Sequence, residues 1–132
     1  MDRIRVYSGL YKISDIKDNQ SLYTLDLDRG IAFTLYSEVL QKVALARNLN
    51  DEQCVQLFRE INKNNILDGC MVSCCMIGGD TSTKTEQYVL HLLNIFVHIE
   101  NTNINLIGYD VGDRIHPNSM EIYCGDGSLH AI

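Results

Sequence analysis

The sequence predicts an α/β (α+β) sandwich, a mixed β-sheet with packed helices, and three observations carry that reading. Short apolar runs such as GIAFTLY (30–36) and CMVSCCMI (70–77) have the length and composition of buried strands. NDEQCVQLFREINKNN (50–65) and TSTKTEQYVLHLLNIFVHIEN (81–101) place apolar residues at helical spacing. Strands precede, separate and follow these helices, and the chain closes on a Gly-Asp-Gly turn, so layers of mixed elements are expected.

Taken in order, RIRVYSGLYKIS (3–14) reads as one or two short strands, with Gly9 as a turn or bulge. SLYTLDLD (21–28) is a further strand. A hairpin through Asp26–Gly30 is expected to join it to GIAFTLY. Ser37 to Ala46 reads as a short helix capped by Ser37. In the next helix Asn50 is the cap and Gln53 stands three residues on, a capping-box spacing. Cys54, Leu57, Phe58 and Ile61 fall on one face, so Cys54 is expected to be a small core residue.

CMVSCCMI then forms a strand ended by Gly78-Gly79. The longer helix takes Thr83 with Glu86 as a capping box and Val89, Leu92, Leu93, Phe96 and Ile99 as its apolar stripe. INLIGYDVG (104–112) and SMEIYCGDGSLHAI (119–132) supply the last strands, the final two joined through residues 125–127. No repeat or linker interrupts this order, so one domain over residues 1–132 is expected.

Composition narrows the function classes. A formal net charge of −6, with positive residues scattered, argues against nucleic-acid binding. MDRIRVYSG lacks the apolar core of a signal peptide, and no run nears the ~20 apolar residues of a membrane span, so a soluble, cytoplasmic chain without membrane insertion is expected. Five cysteines, without a secretory signal, argue against a disulfide framework.

The stretch MVSCCMIGGD (71–80) raises the sharper question of reactive thiols, a metal site or a buried strand. Adjacent strand residues point to opposite faces, so Cys74 and Cys75 cannot share one metal. No C-x-x-C spacing stands elsewhere, so neither metal nor cofactor is expected. The buried strand is the preferred reading. His91 and His98 belong to a polar helix stripe with Gln87 and Asn94, whereas His116 sits in the loop DRIHPN and His130 near the end. The pieces IGGD and CGDG lack the pattern of a phosphate loop.

The order of elements resembles the CheD family of chemoreceptor glutamine deamidases. Gly30-Ile31-Ala32, Gly78-Gly79, Asp110-Val111-Gly112 and Gly125-Asp126-Gly127 stand where that family has its GIAH strand, FGG strand end, DVGG signature and final hairpin turn. The resemblance covers about residues 20 to 132 and implies a CheD-like fold. It also implies hydrolysis of receptor glutamine carboxamides by a cysteine nucleophile from a G-S-C turn and the histidine of GIAH. Its partners would be other proteins, a chemoreceptor helical bundle or a chemotaxis phosphatase.

Both catalytic positions depart from the family. Phe33 stands where the histidine belongs, and no cysteine precedes Cys54. The segment between SLYTLD and GIAF is too short for the G-S-C turn, and the last signature reads Asp110-Val111-Gly112-Asp113. The preferred expectation is therefore a catalytically silent protein-binding module, with Tyr7, Tyr11 and Tyr109 as candidate anchors. An alternative is a cysteine hydrolase of deamidase type with a relocated site, Cys70 or Cys75 working with His91 or His116. A third is an α/β domain whose likeness to the family is accidental.

Overall fold

The run GIAFTLY forms the middle of a sheet that is covered on both faces, which is why nearly every residue in it is apolar. The computed structural model describes residues 1–63, 70–99, 102–112 and 117–132. The larger sheet contains β2 (Tyr11–Asp15), β4 (Ile31–Ser37), β5 (Lys42–Arg47), β6 (Cys70–Gly78) and β7 (Thr102–Val111). Its order is β2-β5-β4-β6-β7, antiparallel except for the parallel β6–β7 pair. The smaller sheet contains β1 (Asp2–Arg5), β3 (Gln20–Thr24), β8 (Met120–Tyr123) and β9 (Leu129–His130), in the order β1-β3-β8-β9.

Helices α1 (Asp51–Ile61) and α2 (Thr83–His98) cover one face of the larger sheet, and the smaller sheet covers the other. The fold is thus an α+β sandwich of three layers. Alternation along the central strands divides the two cores. Phe33, Leu35, Ala44, Ala46, Cys74 and Met76 face the helices, while Ala32, Val43, Leu45 and Cys75 face the small sheet.

Local signals set most of the elements. The Asn50 side chain accepts from the Gln53 backbone N–H at 2.9 Å, and the Gln53 side-chain oxygen accepts from the Asn50 N–H at 3.0 Å, completing the expected capping box. The second helix begins one residue earlier than its spacing suggested. Ser82, not Thr83, is the cap, and its hydroxyl accepts from the Thr85 N–H. The hairpin of β8 and β9 turns through residues 124–128, as expected.

Two expectations are corrected. Lys42–Arg47 is a strand and not the end of a helix from Ser37. Its Ala and Leu residues favour helix in isolation, but Val43 to Ala46 are completely buried between the two layers, and that burial overrides propensity. The Ser37 hydroxyl accepts from Leu40 N–H in a tight turn, which closes with Gln41 at φ 57°. Nor do β3 and β4 form a hairpin. They belong to different sheets, and a 3-10 turn at Leu27–Arg29 carries the chain between them with Leu27 fully buried. No helix among the described residues is long and apolar enough to cross a membrane.

Candidate functional site

The natural place to look for chemistry is the start of β4, where Gly30 and Ile31 meet Gly78-Gly79. At the end of β6 both glycines take positive φ, 118° and 80°. A Cβ on Gly78 would lie 2.2 Å from the Gly30 carbonyl oxygen, so only glycine fits. The Gly79 N–H reaches the carbonyls of Leu27 and Gly30 at 2.9 and 2.8 Å. This knot locks the crossing between layers to the end of the central strand.

Beside it lies a small cleft of about 170 Å³ bordered by Gly30, Ile31, Asn48, Lys84, Thr85 and Tyr88. Asn48, Tyr88 and Thr85 there are tied into the fold. Asn48 accepts from the Ile31 N–H at 2.8 Å and donates to the Ser8 hydroxyl at 2.8 Å. Tyr88 donates its hydroxyl to the Leu49 carbonyl at 2.7 Å, and burial raises its pKa. The Thr85 hydroxyl donates to Asp80 at 2.8 Å. None of the residues bordering the cleft is a cysteine or histidine.

Phe33, two residues into β4 from Ile31, is 1% exposed and points into the helix-side core. Its ring meets Phe96 edge to face at 5.3 Å, and Phe96 meets Phe58 at 5.5 Å in the same way. The side chain is a core anchor, a hydrocarbon ring with no proton to exchange.

Cys74 and Cys75 lie on opposite faces of β6, both buried. Burial, then the Asp51 carboxylate, pushes the Cys54 thiol up to about 12. Burial also raises Cys74, Cys75 and Cys124, with Asp110 adding to the rise at Cys75. These four are free thiols held away from the thiolate form that nucleophilic attack needs. Cys70 begins β6, but its side chain is not among those described, and His116 lies outside the described residues.

The histidines are spread apart. His91 projects from α2, and its Nε2 meets the Asp51 carboxylate at the start of α1. It stands on the helix layer, whereas Cys75 faces the small sheet, so the larger sheet separates them. His98 bonds the Asn94 carbonyl at 2.8 Å on the same exposed stripe. His130 stacks on Tyr123 at 4.0 Å and approaches the Ser128 hydroxyl at 3.0 Å. That hydroxyl also contacts Asp126 at 2.6 Å. The carboxylate therefore holds the serine rather than orienting the imidazole, the reverse of the order a catalytic triad requires. Among the described residues no three His, Cys, Asp or Glu side chains gather as metal ligands.

Two buried charges escaped sequence reasoning. Arg47 is 9% exposed at the end of β5 and donates to the Thr24 hydroxyl and the carbonyls of Leu25 and Asp26. Glu121 is 7% exposed on β8 and accepts from Ser21 and Arg3. Arg47 ends the apolar run Val43–Ala46, whereas Glu121 stands between Met120 and Ile122, and only the assembly of distant strands reveals their partners. Of the expected anchors, Tyr7 and Tyr109 are 55% and 54% exposed, while Tyr11 packs partly against the helix-side core. Neither the known family models nor the curated proteins give a match to this chain.

Proposed function

We propose that this chain is a catalytically silent, CheD-like protein-binding module, acting in the cytoplasm as a single domain. The observation that carries the reading is Phe33. At the position where the resemblance calls for a proton-accepting histidine, the side chain is an aromatic ring sealed in a trio with Phe96 and Phe58. A buried hydrocarbon cannot take up a proton, and general-base and nucleophilic steps each contribute orders of magnitude to amide hydrolysis. The four described thiols support the same reading, since burial disfavours their ionised form.

The partner class is another protein, a chemoreceptor helical bundle or a chemotaxis phosphatase by resemblance. Exposed Tyr7, with the Arg5 guanidinium 4.6 Å from its ring centre, and exposed Tyr109 supply rigid aromatic surface of the kind that anchors such contacts. The test incubates the purified chain with glutamine-bearing receptor peptides and follows both ammonia release and the one-unit mass gain of deamidation. Binding to a purified receptor bundle and to a chemotaxis phosphatase is measured in parallel. No deamidation together with saturable binding is expected. Deamidation that disappears on replacing Cys70 or Cys75 would sink the proposal and establish a relocated cysteine site.

A further inference from the structure

The turn from β1 to β2 is both apolar on its outside and tied down on its inside. Tyr7 and Leu10 flank it, and each is 55% exposed. Between them Gly9 takes φ 80°, where the backbone reverses. The Leu10 N–H reaches the Tyr7 carbonyl at 3.1 Å. The Gly9 N–H donates to the Arg47 carbonyl at 2.8 Å, and the Leu10 carbonyl accepts from the Arg47 N–H at 3.1 Å. Gln53 on α1 donates to the Gly9 carbonyl at 2.7 Å, and Asn48 donates to the Ser8 hydroxyl at 2.8 Å. At the root of the turn the Val6 N–H reaches the Tyr23 carbonyl, and the Val6 carbonyl accepts from the Thr24 hydroxyl, both at 2.8 Å. These bonds hold the backbone while two large side chains stay in solvent, so a partner that covers them has little ordering entropy to overcome.

Arg5 adds a charge without a counter-ion to this turn. Its guanidinium lies 4.6 Å from the centre of the Tyr7 ring. Its Nε is shielded from solvent and has no hydrogen-bond partner, and among the described residues no carboxylate pairs with Arg5. Yet the chain has 17 Asp and Glu residues against 11 Lys and Arg, so carboxylates are plentiful. Arg3, two residues earlier on β1, is by contrast held by Glu121 at 2.8 Å. Arg47 deepens the imbalance, since its guanidinium is bonded only to the neutral oxygens of Thr24, Leu25 and Asp26. Burial lowers the Arg47 pKa; the charges of Asp26 and Asp28 oppose that, and the charge of Arg5 adds to it.

We propose that Arg5, Tyr7 and Leu10 form a docking knob for a protein segment that presents apolar side chains beside an Asp or Glu carboxylate. The carboxylate takes the terminal amino groups of the Arg5 guanidinium, which Tyr7 holds flat, and the apolar side chains cover Tyr7 and Leu10. Charge complementarity selects this occupant, because the one thing the knob lacks is an anionic acceptor. A nucleic-acid strand fits it less well. Binding through phosphates needs several uncommitted cations, and Arg3 on the same strand is already taken by Glu121. The inference rests on the protein-binding reading above, and it adds the docking face and the chemistry of the partner.

The probes are a helical peptide with leucines and one glutamate on its apolar face, a twin with glutamine in place of that glutamate, and a single-stranded DNA oligomer. Nuclear magnetic resonance of the isotopically labelled native chain follows binding without any variant. The glutamate peptide should shift the amide signals of Ser8, Gly9 and Leu10 and the Arg5 Nε signal saturably. The glutamine twin should bind about tenfold more weakly. Arg5→Gln and Leu10→Ser should each weaken the glutamate peptide by about tenfold while circular dichroism shows the native fold. Arg59→Gln, on the exposed face of α1, should leave it unchanged. Equal binding of the two peptides, no saturable shift at the turn, a DNA oligomer that competes at the same signals, or unchanged affinity in Arg5→Gln would each overturn the proposal. Receptor-bundle binding that Arg5→Gln leaves intact would remove this face and keep the binding-module reading. Deamidation would sink that reading and leave the peptide result as it stands.

Discussion

The Cys75 sulfur lies directly over Gly108, so close that a Cβ on that glycine would stand 2.7 Å from it. The contact explains a pairing irregularity as well as a residue choice. One strand position, Ile107, is expelled from the β6–β7 ladder beside it. Gly108→Ala is expected to destabilise the chain by about 1–3 kcal/mol, the ordinary cost of overpacking a filled core. Urea denaturation measures it, and adding Cys75→Ala should recover part of the loss. Equal costs for Gly108→Ala with and without Cys75 would show that the sulfur is not the obstacle.

Phe33 gives the second prediction. Phe33→Ala should cost about 3–5 kcal/mol, because it opens a cavity against Phe96 in a completely buried site. Phe33→His restores the side chain of the resembled family, yet it should also destabilise, since a polar ring enters a site lined by apolar groups. Thermal melting of both variants checks this. A Phe33→His variant as stable as the parent would point to a polar partner in reach of position 33.

The thiols supply the third. In a Cys70→Ser background, the remaining four cysteines should react with a thiol reagent at neutral pH only at the rate of opening or unfolding. Burial raises their pKa and shields the sulfur. Cys74→Asp and Cys75→Asp should each cost several kcal/mol, about 3 or more, because both faces of β6 are dry. A thiol labelled quickly in the folded chain would contradict this picture.

Glu121 makes acid stability the fourth. Burial pushes its carboxyl up, but hydrogen bonds from Ser21 and Arg3, with the Arg3 charge, outweigh burial and leave its pKa below the usual range. A depressed carboxyl pKa contributes stability that is present above the unfolded value of about 4.3 and is lost as pH falls through the lower folded value. Glu121→Gln should therefore lower stability at neutral pH and flatten its decline on acidification below about pH 4.3. Denaturation midpoints across a pH series measure both. An unchanged acid slope in the variant would mean that Glu121 titrates alike in the folded and unfolded chains.

How far the sequence could be read depended on how local each signal was. The Asn50–Gln53 capping box and the apolar stripes of α1 and α2 depend on neighbours within a few residues, and the structure reproduces them. The glycine-ended strand of CMVSCCMI is equally local, and its opposed thiols follow from the two-residue period of a strand. Phe33 lies in an apolar run, and its burial follows from that run. The buried Arg47 and Glu121 had no such signal, because their partners come from strands far away in the chain.

Taken by itself, the sequence determined the cores of helices α1 and α2, the Asn50 cap, and the buried character of β4 and β6, all of which follow from residue type and short-range spacing. Only the tertiary structure decided that Lys42–Arg47 is a strand and that β3 and β4 part into different sheets. The physical reason is that strand pairing joins residues distant in sequence. The burial that selects a partner is a property of the assembled layers, and no short window of residues contains it.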